Sequence, residues 1–430
     1  MATPGPAGPW HQVGRWLANP AYWEADPAAA SDDRVVRFID TTLSEGDDCV
    51  GHQLNWNTRL EMAEALVAAG VDEITLPSHA RYDEELDFVR AYRARGLTTP
   101  LVAKGPGISP PLTGDWRGPL ERHLDLGVEV VSPILKWSYE DVLGDFAGAL
   151  SSEQVMDAIG ESISFLASRS DRVIPWIVDS MRMYPDTVTR FAETIVAAGG
   201  HGVYLVDSRG NSVPRATTRL VGQVRAAIRD ADLYVQHHND LGVATANALA
   251  SVEAGADVID VTVLGIGDRG GCVALEEIAP LIEMYGYRTN IDLGQLFYLT
   301  SQTLDAFRVA VAPWKPIAGS HWNKEEGVGH LDGSDAEEAT CGLAPNVVGR
   351  RFEGVIGGKL VFGRERSSIT EDDYGFIRRT LAVWELSPSD DEFAAIIERT
   401  KAAVATSPTG YITTETFRRI CDGALQDPTA

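Results

Sequence analysis

The chain has 430 residues, 44% of them hydrophobic, which is enough to bury a large core. Its 62 acidic and 37 basic residues give a net charge of -25, which argues against a surface for nucleic acid or an anionic membrane. Four cysteines are scattered without CxxC spacing, as expected for free thiols in a reducing compartment. Neither a signal peptide nor an apolar run of roughly 18 residues is recognisable. These features predict a cytoplasmic protein that acts on small molecules.

Residues 1–33 are rich in Pro, Ala, Gly and Asp and lack sustained periodicity. This composition predicts an N-terminal extension that is partly disordered. Four aromatic residues are candidates for attaching it to the rest of the protein or to a partner subunit: Trp10, Trp16, Tyr22 and Trp23.

Eight short apolar runs follow, separated by amphipathic patterns. Their nearly continuous Val, Ile and Leu content is typical of parallel strands that are covered on both faces. The runs occupy residues 35–40, 73–78, 100–105, 129–135, 173–179, 202–207, 233–238 and 258–265.

The segments between the runs carry helix signals. Ser151 and Gln154 have the spacing of a capping box. A glycine stands shortly before several of the runs, as in Gly70, Gly127 and Gly255, where it suits a helix C-cap. Eight strand–helix units predict a (β/α)8 TIM barrel over residues 34–290, which would be the catalytic domain.

The pattern changes beyond the predicted barrel. Residues 291–365 are expected to form a linker and loop subdomain that carries His330, within a polar, glycine-bearing stretch. Residues 366–430 are expected to form a small helical subdomain, with helices near 370–386, 389–405 and 413–425.

Polar and glycine residues gather beyond the first, seventh and eighth runs, where parallel barrels bind their ligands. The segments read Asp40-Thr41-Thr42-Leu43-Ser44-Glu45-Gly46-Asp47-Asp48, Gln236-His237-His238-Asn239-Asp240 and Gly265-Ile266-Gly267-Asp268-Arg269-Gly270-Gly271-Cys272.

These segments resemble the strand-end signatures of the homocitrate synthase and 2-isopropylmalate synthase family, within the DRE-TIM metallolyase superfamily that also includes 3-hydroxy-3-methylglutaryl-CoA lyase. Residues 179–182, 207–214 and 316–333 continue the likeness, which covers nearly the whole chain from about residue 34. The resemblance implies a TIM barrel, carbon–carbon bond chemistry and a homodimer.

The resemblance also implies a divalent metal. Family members hold it with an aspartate, two histidines and often an asparagine, and the matching positions here are Glu45, Gln236, His238 and Cys272. Only His238 is unchanged. The softer donor set favours Zn²⁺ over Mg²⁺ or Mn²⁺. The alternative is a polar, metal-free pocket in which hydrogen bonds hold His238.

Two further family residues are replaced. The family arginine that polarises the keto group and stabilises the enolate corresponds to Ser44, and a second-strand glutamate corresponds to Thr75. Lys104 and Lys136 end the third and fourth runs and are candidates to supply a positive charge or a Schiff base. The alternative is that both lysines simply reach solvent at the barrel rim.

His330 is the acid–base candidate outside the barrel. The matching family histidine assists enolisation of the acetyl group, and an imidazole with a pKa near neutrality suits that task. An exposed loop histidine without a role is the alternative. The candidate substrate-binding residues are Ser44, Asp48, Thr75, Arg182, Thr262, Gly265, Gly267 and Arg269.

The glycine-rich turn after the eighth run is predicted to bind phosphate or a CoA thioester, or else to be only a tight turn. The leading functional hypothesis is an acyltransferase of specialised metabolism that condenses an acyl-CoA with a 2-oxo acid or related carbonyl compound. A lyase or aldolase of the same superfamily, metal-dependent or Schiff-base, is the runner-up. A catalytically silent homologue that binds a ligand or partner is the alternative of another class.

Overall fold

The computed structural model describes residues 10–25, 34–77, 82–137, 150–326, 341–358 and 374–426. Two compact units are present. One is Ala25–Ala310, and the other combines Met1–Glu24 with Val311–Ala430. Among the helices described, none has the length and apolar character needed to cross a membrane.

The Ala25–Ala310 unit contains a closed barrel of eight parallel strands, one in each predicted apolar run. Adjacent strands in the chain pair with each other, and the eighth closes on the first, with Val258 opposite Arg37. The predicted TIM barrel is confirmed. In chain order its strands are Arg37–Asp40, Glu73–Thr75, Leu101–Ile108, Val130–Leu135, Trp176–Ile177, Gly202–Asp207, Asp232–His237 and Val258–Val261.

Helices connect the strands and cover the barrel. The capping box of Ser151 and Gln154 forms as predicted, and Gly70 ends a helix at a φ of 88°, a conformation that glycine adopts without strain. The helices are Thr42–Glu45, Trp56–Ala69, Tyr82–Ala94, Arg117–Leu124, Ser152–Ala167, Pro185–Ala197, Pro214–Ile228, Ala244–Glu253, Leu275–Met284 and Leu296–Phe307, with 3₁₀ turns at Ser180–Arg182, Val263–Gly265 and Leu293–Gln295.

An apolar layer fills the middle of the barrel. It includes Ile39, Val102, Tyr234 and Val258, which are buried against one another. Side chains on a strand alternate between its two faces, so the residue two positions further along faces the same way. Those positions hold Thr41, Lys104, Gln236 and Asp260. The interior is therefore apolar at its centre and polar toward the carboxyl ends of the strands.

Polar side chains close the opposite, amino-terminal end of the barrel. Arg172 donates to Glu73 at 2.8 Å, to the Tyr234 hydroxyl at 2.6 Å and to Asp232 at 3.2 Å. Arg37 pairs with Asp232 at 2.5 Å. Because these residues come from three strands and one loop, the network fixes how the strand ends meet.

We expect Arg172→Met to lower the free energy of unfolding by about 2 kcal/mol, because it leaves the Glu73 carboxylate buried without its guanidinium partner. The Arg172 side chain is 28% exposed, which keeps the loss below that of a fully buried pair. Urea unfolding measures it. Arg90→Met is the matched control, since the pair of Arg90 with Asp87 is exposed; equal losses in the two variants would contradict this role.

The second unit contains a two-stranded antiparallel pair and a three-stranded sheet. Within the expected N-terminal extension, residues 10–25 form the antiparallel pair and a short helix, and Trp16 is buried and bridges to Leu343. The three helices predicted near the carboxyl end are present. The elements are strands His11–Gln12, Trp16–Leu17, Lys324–Glu325, Glu353–Gly357 and Tyr411–Thr413, helices Ala21–Ala25, Gly375–Val383, Asp390–Thr406 and Thr414–Gln426, and a 3₁₀ turn at Pro345–Val348.

Candidate active site at the carboxyl end of the barrel

Three predicted metal ligands lie on loops that barrel closure brings together. Glu45 ends the short helix after the first strand. His238 directly follows the seventh strand, and Cys272 lies in the turn after the eighth, where it forms a β-bridge with His238. Since the eighth strand pairs with both the first and the seventh, the three side chains share one end of the barrel.

Glu45, His238 and Cys272 form a compact, buried trio, and one ligand atom from each lies within 4.8 Å of the others. Glu45 Oε2 is 3.8 Å from His238 Nε2, and Cys272 Sγ is 3.8 Å from His238 Nδ1. Carboxylate, imidazole and thiolate are all zinc ligands, which bind at about 2.0–2.3 Å. The spacing and chemistry of the trio therefore fit a divalent ion of the zinc type.

Gln236, the fourth predicted ligand, lies next to the trio, and its side chain contacts both the trio and a further carboxyl group. Its amide nitrogen donates to Asp260 at 3.1 Å, and its side chain also hydrogen-bonds to Glu45. Gln236 thus joins the trio to the buried carboxyl beneath it.

Lys104 lies inside the site. Its Nζ is 2.5 Å from Glu45 Oε1 and 3.4 Å from Ser44 Oγ, and it stands 4.6 Å from the centroid of the Trp176 ring. Lys136, the other candidate lysine, is exposed. Of the two, only Lys104 is placed beside the predicted metal ligands.

The Lys104–Glu45 pair is held in its charged form. Burial opposes the ammonium, but the neighbouring carboxylate raises the pKa of Lys104. Burial likewise opposes the carboxylate, but the charge of Lys104, together with hydrogen bonds from Lys104 and Gln236, lowers the pKa of Glu45. A Schiff base needs a neutral amine, so this pairing favours the use of Lys104 as a fixed positive charge.

The other two members of the trio are neutral in the absence of an ion. Burial, reinforced by the charge of Glu45, raises the pKa of the Cys272 thiol far above its ordinary value. Burial lowers the pKa of His238. A neutral imidazole is ready to bind a metal, whereas the thiol must lose its proton on binding.

A buried carboxyl that the sequence pattern did not single out lies below the trio. Asp260 accepts hydrogen bonds from Thr41 at 2.7 Å, from Gln236 at 3.1 Å and from the Tyr204 hydroxyl. Burial raises the pKa of Asp260 to about 8. Its one sequence signal was an acidic residue within an otherwise apolar run.

Two candidate substrate-binding threonines carry unused hydroxyl groups. Thr75 and Thr262 are fully buried, and the Oγ1 of each has no hydrogen-bond partner among the residues that the structure describes. An unpaired buried hydroxyl is costly. Both are therefore available to polar atoms of a bound molecule. Asp48, a third candidate, is partly buried, and its charge contributes to the raised pKa of Lys104.

The two candidate arginines are engaged by carboxylates of the protein. Arg182 forms a two-bond ion pair with Asp179. Arg269 pairs with Asp240 at 2.8 Å and with Asp268 at 2.5 Å, and it also donates to a backbone carbonyl beyond the sixth strand. Arg269 thus ties together the loops after strands six, seven and eight.

The candidate glycines allow the eighth loop to approach the trio closely. Gly265 has a φ of 67°, which favours glycine. A Cβ added at Gly267 would lie 2.9 Å from the Cys272 sulfur and 3.6 Å from the Glu45 Cβ. A side chain at residue 267 would therefore press on two of the three donors.

A second buried carboxyl, Asp40, accepts hydrogen bonds from the backbone and hydroxyl of Thr42. Burial, together with the nearby charge of Glu276, raises its pKa from 3.8 to about 7. Between these values the folded protein holds a proton that the unfolded chain has released. Stability contributed by this proton is complete below about pH 4 and lost as the pH rises through 7.

We expect the free energy of unfolding to fall by about 2 kcal/mol from pH 5 to pH 7 on account of Asp40. Asp40→Asn should remove this part of the slope, because the amide does not titrate. Urea unfolding at pH 5, 6 and 7 measures the effect, with the exposed Asp87→Asn as control. An unchanged slope in Asp40→Asn would contradict it.

His330, the predicted acid–base residue, lies outside the described residues, and its role stays a prediction. The other histidine of the seventh-strand motif, His237, has buried polar neighbours within the protein. His237 hydrogen-bonds to Ser251 at 2.9 Å and approaches Asp207 at 3.6 Å. All three are buried, so substrate does not reach this Asp–His–Ser arrangement.

Comparison with known proteins agrees with this architecture. The sequence profile of the HMGL-like family matches residues 134–302. A 2-isopropylmalate synthase of Afipia carboxidovorans is 30% identical over 353 residues, covering 77% of this chain and 64% of that protein. The homocitrate synthase AksA of Methanopyrus kandleri is 28% identical over 327 residues, covering 76% of this chain and 79% of that protein. The profile match and the similarity to these synthases support membership of the DRE-TIM superfamily.

Solved structures of hydroxymethylglutaryl-CoA lyases share the fold of this barrel. The hydroxymethylglutaryl-CoA lyase of Pseudomonas aeruginosa superposes with a TM-score of 0.53 at 21% identity, over 64% of this chain and 94% of that one. The lyase from Brucella melitensis gives a TM-score of 0.51 at 18% identity, over 64% and 100%. The chain spans 61%, 64% and 65% of the length of the first three curated relatives that it matches, all 2-isopropylmalate synthases.

Proposed function

We propose that this DRE-TIM protein is an acyltransferase that condenses an acyl-CoA with a 2-oxo acid or related carbonyl compound. The observation that carries the proposal is the buried cluster of Glu45, His238, Cys272 and Lys104 at the carboxyl end of the barrel. The synthases among its relatives supply the reaction class. The departures from the family ligand set support a specialised substrate.

The trio of Glu45, His238 and Cys272 would hold a divalent ion, which supplies Lewis-acid polarisation of a carbonyl oxygen when bound. Lys104 would present its ammonium to the oxygen on which negative charge develops, as electrostatic stabilisation requires. The unused hydroxyls of Thr75 and Thr262 would orient the bound substrate by hydrogen bonding.

His330 is proposed to remove the proton from the carbon next to the thioester. The resulting enolate carbon attacks the carbonyl carbon of the second substrate and forms the new carbon–carbon bond. Hydrolysis of the thioester then releases CoA. The ammonium of Lys104 balances the charge on the former carbonyl oxygen, which then takes up the proton held by His330 and becomes the hydroxyl group of the product.

The experiment is a panel assay with the purified full-length protein and zinc, manganese or magnesium. Acetyl-CoA and longer acyl-CoAs are each paired with a series of 2-oxo acids, free CoA is detected with a thiol reagent, and products are identified by mass. We expect CoA to be released only when both substrates are present. We also expect the product to be a hydroxy-dicarboxylic acid. Cleavage of a hydroxyacyl-CoA in place of condensation would identify a lyase, and no turnover with any pair would favour a silent homologue.

A homodimer is part of the same proposal, since the synthase resemblance implies it. Sedimentation equilibrium of the purified protein tests it directly. A mass equal to that of one chain at micromolar concentration would contradict it.

A further inference from the structure

One carboxylate, that of Glu45, is shared by two candidate cations in this site. Glu45 Oε1 accepts a hydrogen bond from the Lys104 ammonium at 2.5 Å, and Glu45 Oε2 faces His238 Nε2 at 3.8 Å. Glu45 is also the carboxylate of the trio that fits a divalent ion. The lysine and the ion therefore depend on the same negative charge.

Burial makes this competition strong. The side chains of Lys104 and Glu45 are 14% and 5% exposed, so water screens their charges weakly. Two positive charges within a few ångströms repel far more in such a place than at a surface. An ion bound by Glu45 next to the Lys104 ammonium must work against that repulsion.

A second acceptor is available to the ammonium. Ser44 Oγ lies 3.4 Å from Lys104 Nζ, and the face of Trp176 supports the ammonium from 4.6 Å, a favourable cation–π contact. The lysine thus keeps partners when Glu45 is taken from it.

We propose that Lys104 is a built-in competitor of the metal for Glu45. The ammonium pairs with Glu45 when no ion is bound, and it turns to Ser44 and the substrate space when Glu45 binds an ion. The affinity for metal is consequently lower than the trio alone would give. That the released ammonium then meets the substrate oxygen rests on the proposed function, whereas the competition itself does not.

The test is zinc affinity of the full-length protein, measured by competition with a chromogenic chelator. We expect Lys104→Met to bind zinc at least about tenfold more tightly than the wild type, because it removes the competing charge. Lys104→Arg keeps the charge and should bind near the wild-type level. Lys136 is an exposed lysine just beyond the end of the next strand. Lys136→Met is therefore the matched control and should not change the affinity.

Equal or weaker zinc binding by Lys104→Met overturns the proposal, and so does a failure of wild type and variant alike to bind zinc. Should Lys104→Met not fold, Ser44→Ala tests the same point. It removes the second acceptor, and we expect zinc to bind several-fold more weakly. An affinity unchanged by Ser44→Ala would then count against the competition.

Two readouts separate this inference from the proposed function. Tighter zinc binding together with slower condensation in Lys104→Met supports both. Tighter binding with unchanged turnover retains the competition and removes the proposed role of Lys104 in the reaction. Unchanged binding removes the competition whatever happens to turnover.

Discussion

Replacing Lys104 by methionine should lower kcat by about 10²- to 10³-fold, the usual effect of removing one fixed donor to a developing oxyanion. Methionine keeps most of the length and packing of the side chain but carries no charge. The loss should appear in kcat more than in KM, because the charge on the oxygen is greatest in the transition state. Steady-state kinetics at saturating zinc measure it.

The charge at residue 104, rather than its shape, is what this prediction tests. Lys104→Arg should retain a substantial part of the activity, and Lys136→Met should behave as the wild type. A kcat for Lys104→Met within a factor of three of the wild type would show that the charge comes from another residue.

Replacing His238 by alanine should abolish stoichiometric zinc binding and reduce kcat by at least about 10³-fold. The imidazole lies between the other two donors, 3.8 Å from both Glu45 and Cys272. Its loss leaves a carboxylate and a protonated thiol, which bind zinc poorly at neutral pH. Elemental analysis of the purified protein gives the stoichiometry, and the panel assay gives the rate.

His201→Ala is the matched control for His238→Ala, because His201 lies at the amino-terminal end of the sixth strand, at the other end of the barrel. It should retain full zinc and full activity. Zinc retained at one equivalent by His238→Ala would mean that the ion binds elsewhere.

Local patterns were sufficient to predict the main elements. Strands that are covered on both faces need nearly continuous Val, Ile and Leu, and each of the eight apolar runs contains one strand of the barrel. The capping box at Ser151 and the glycine at residue 70 mark helix ends through bonds to nearby backbone groups, so adjacent residues are enough to recognise them. The three carboxyl-terminal helices were visible for the same reason.

For the candidate site, the sequence indicated the residues but not their contacts. Residue types at or just beyond the ends of the apolar runs indicated Glu45, His238, Cys272 and Lys104, because parallel barrels gather such residues at one end. The partners of these residues were not visible. Lys104 and Glu45 are 59 positions apart in the sequence, and neither segment by itself predicts that they form an ion pair.

The sequence by itself thus determined the barrel, its order of strands and the side chains available at its carboxyl end, since these follow from local periodicity and from the direction of parallel strands. Only the tertiary structure decided which of those side chains meet. Barrel closure placed Lys104 on Glu45, Asp260 under Gln236 and Arg269 on Asp240. Such pairings depend on side-chain direction and burial across distant strands, which no local pattern encodes.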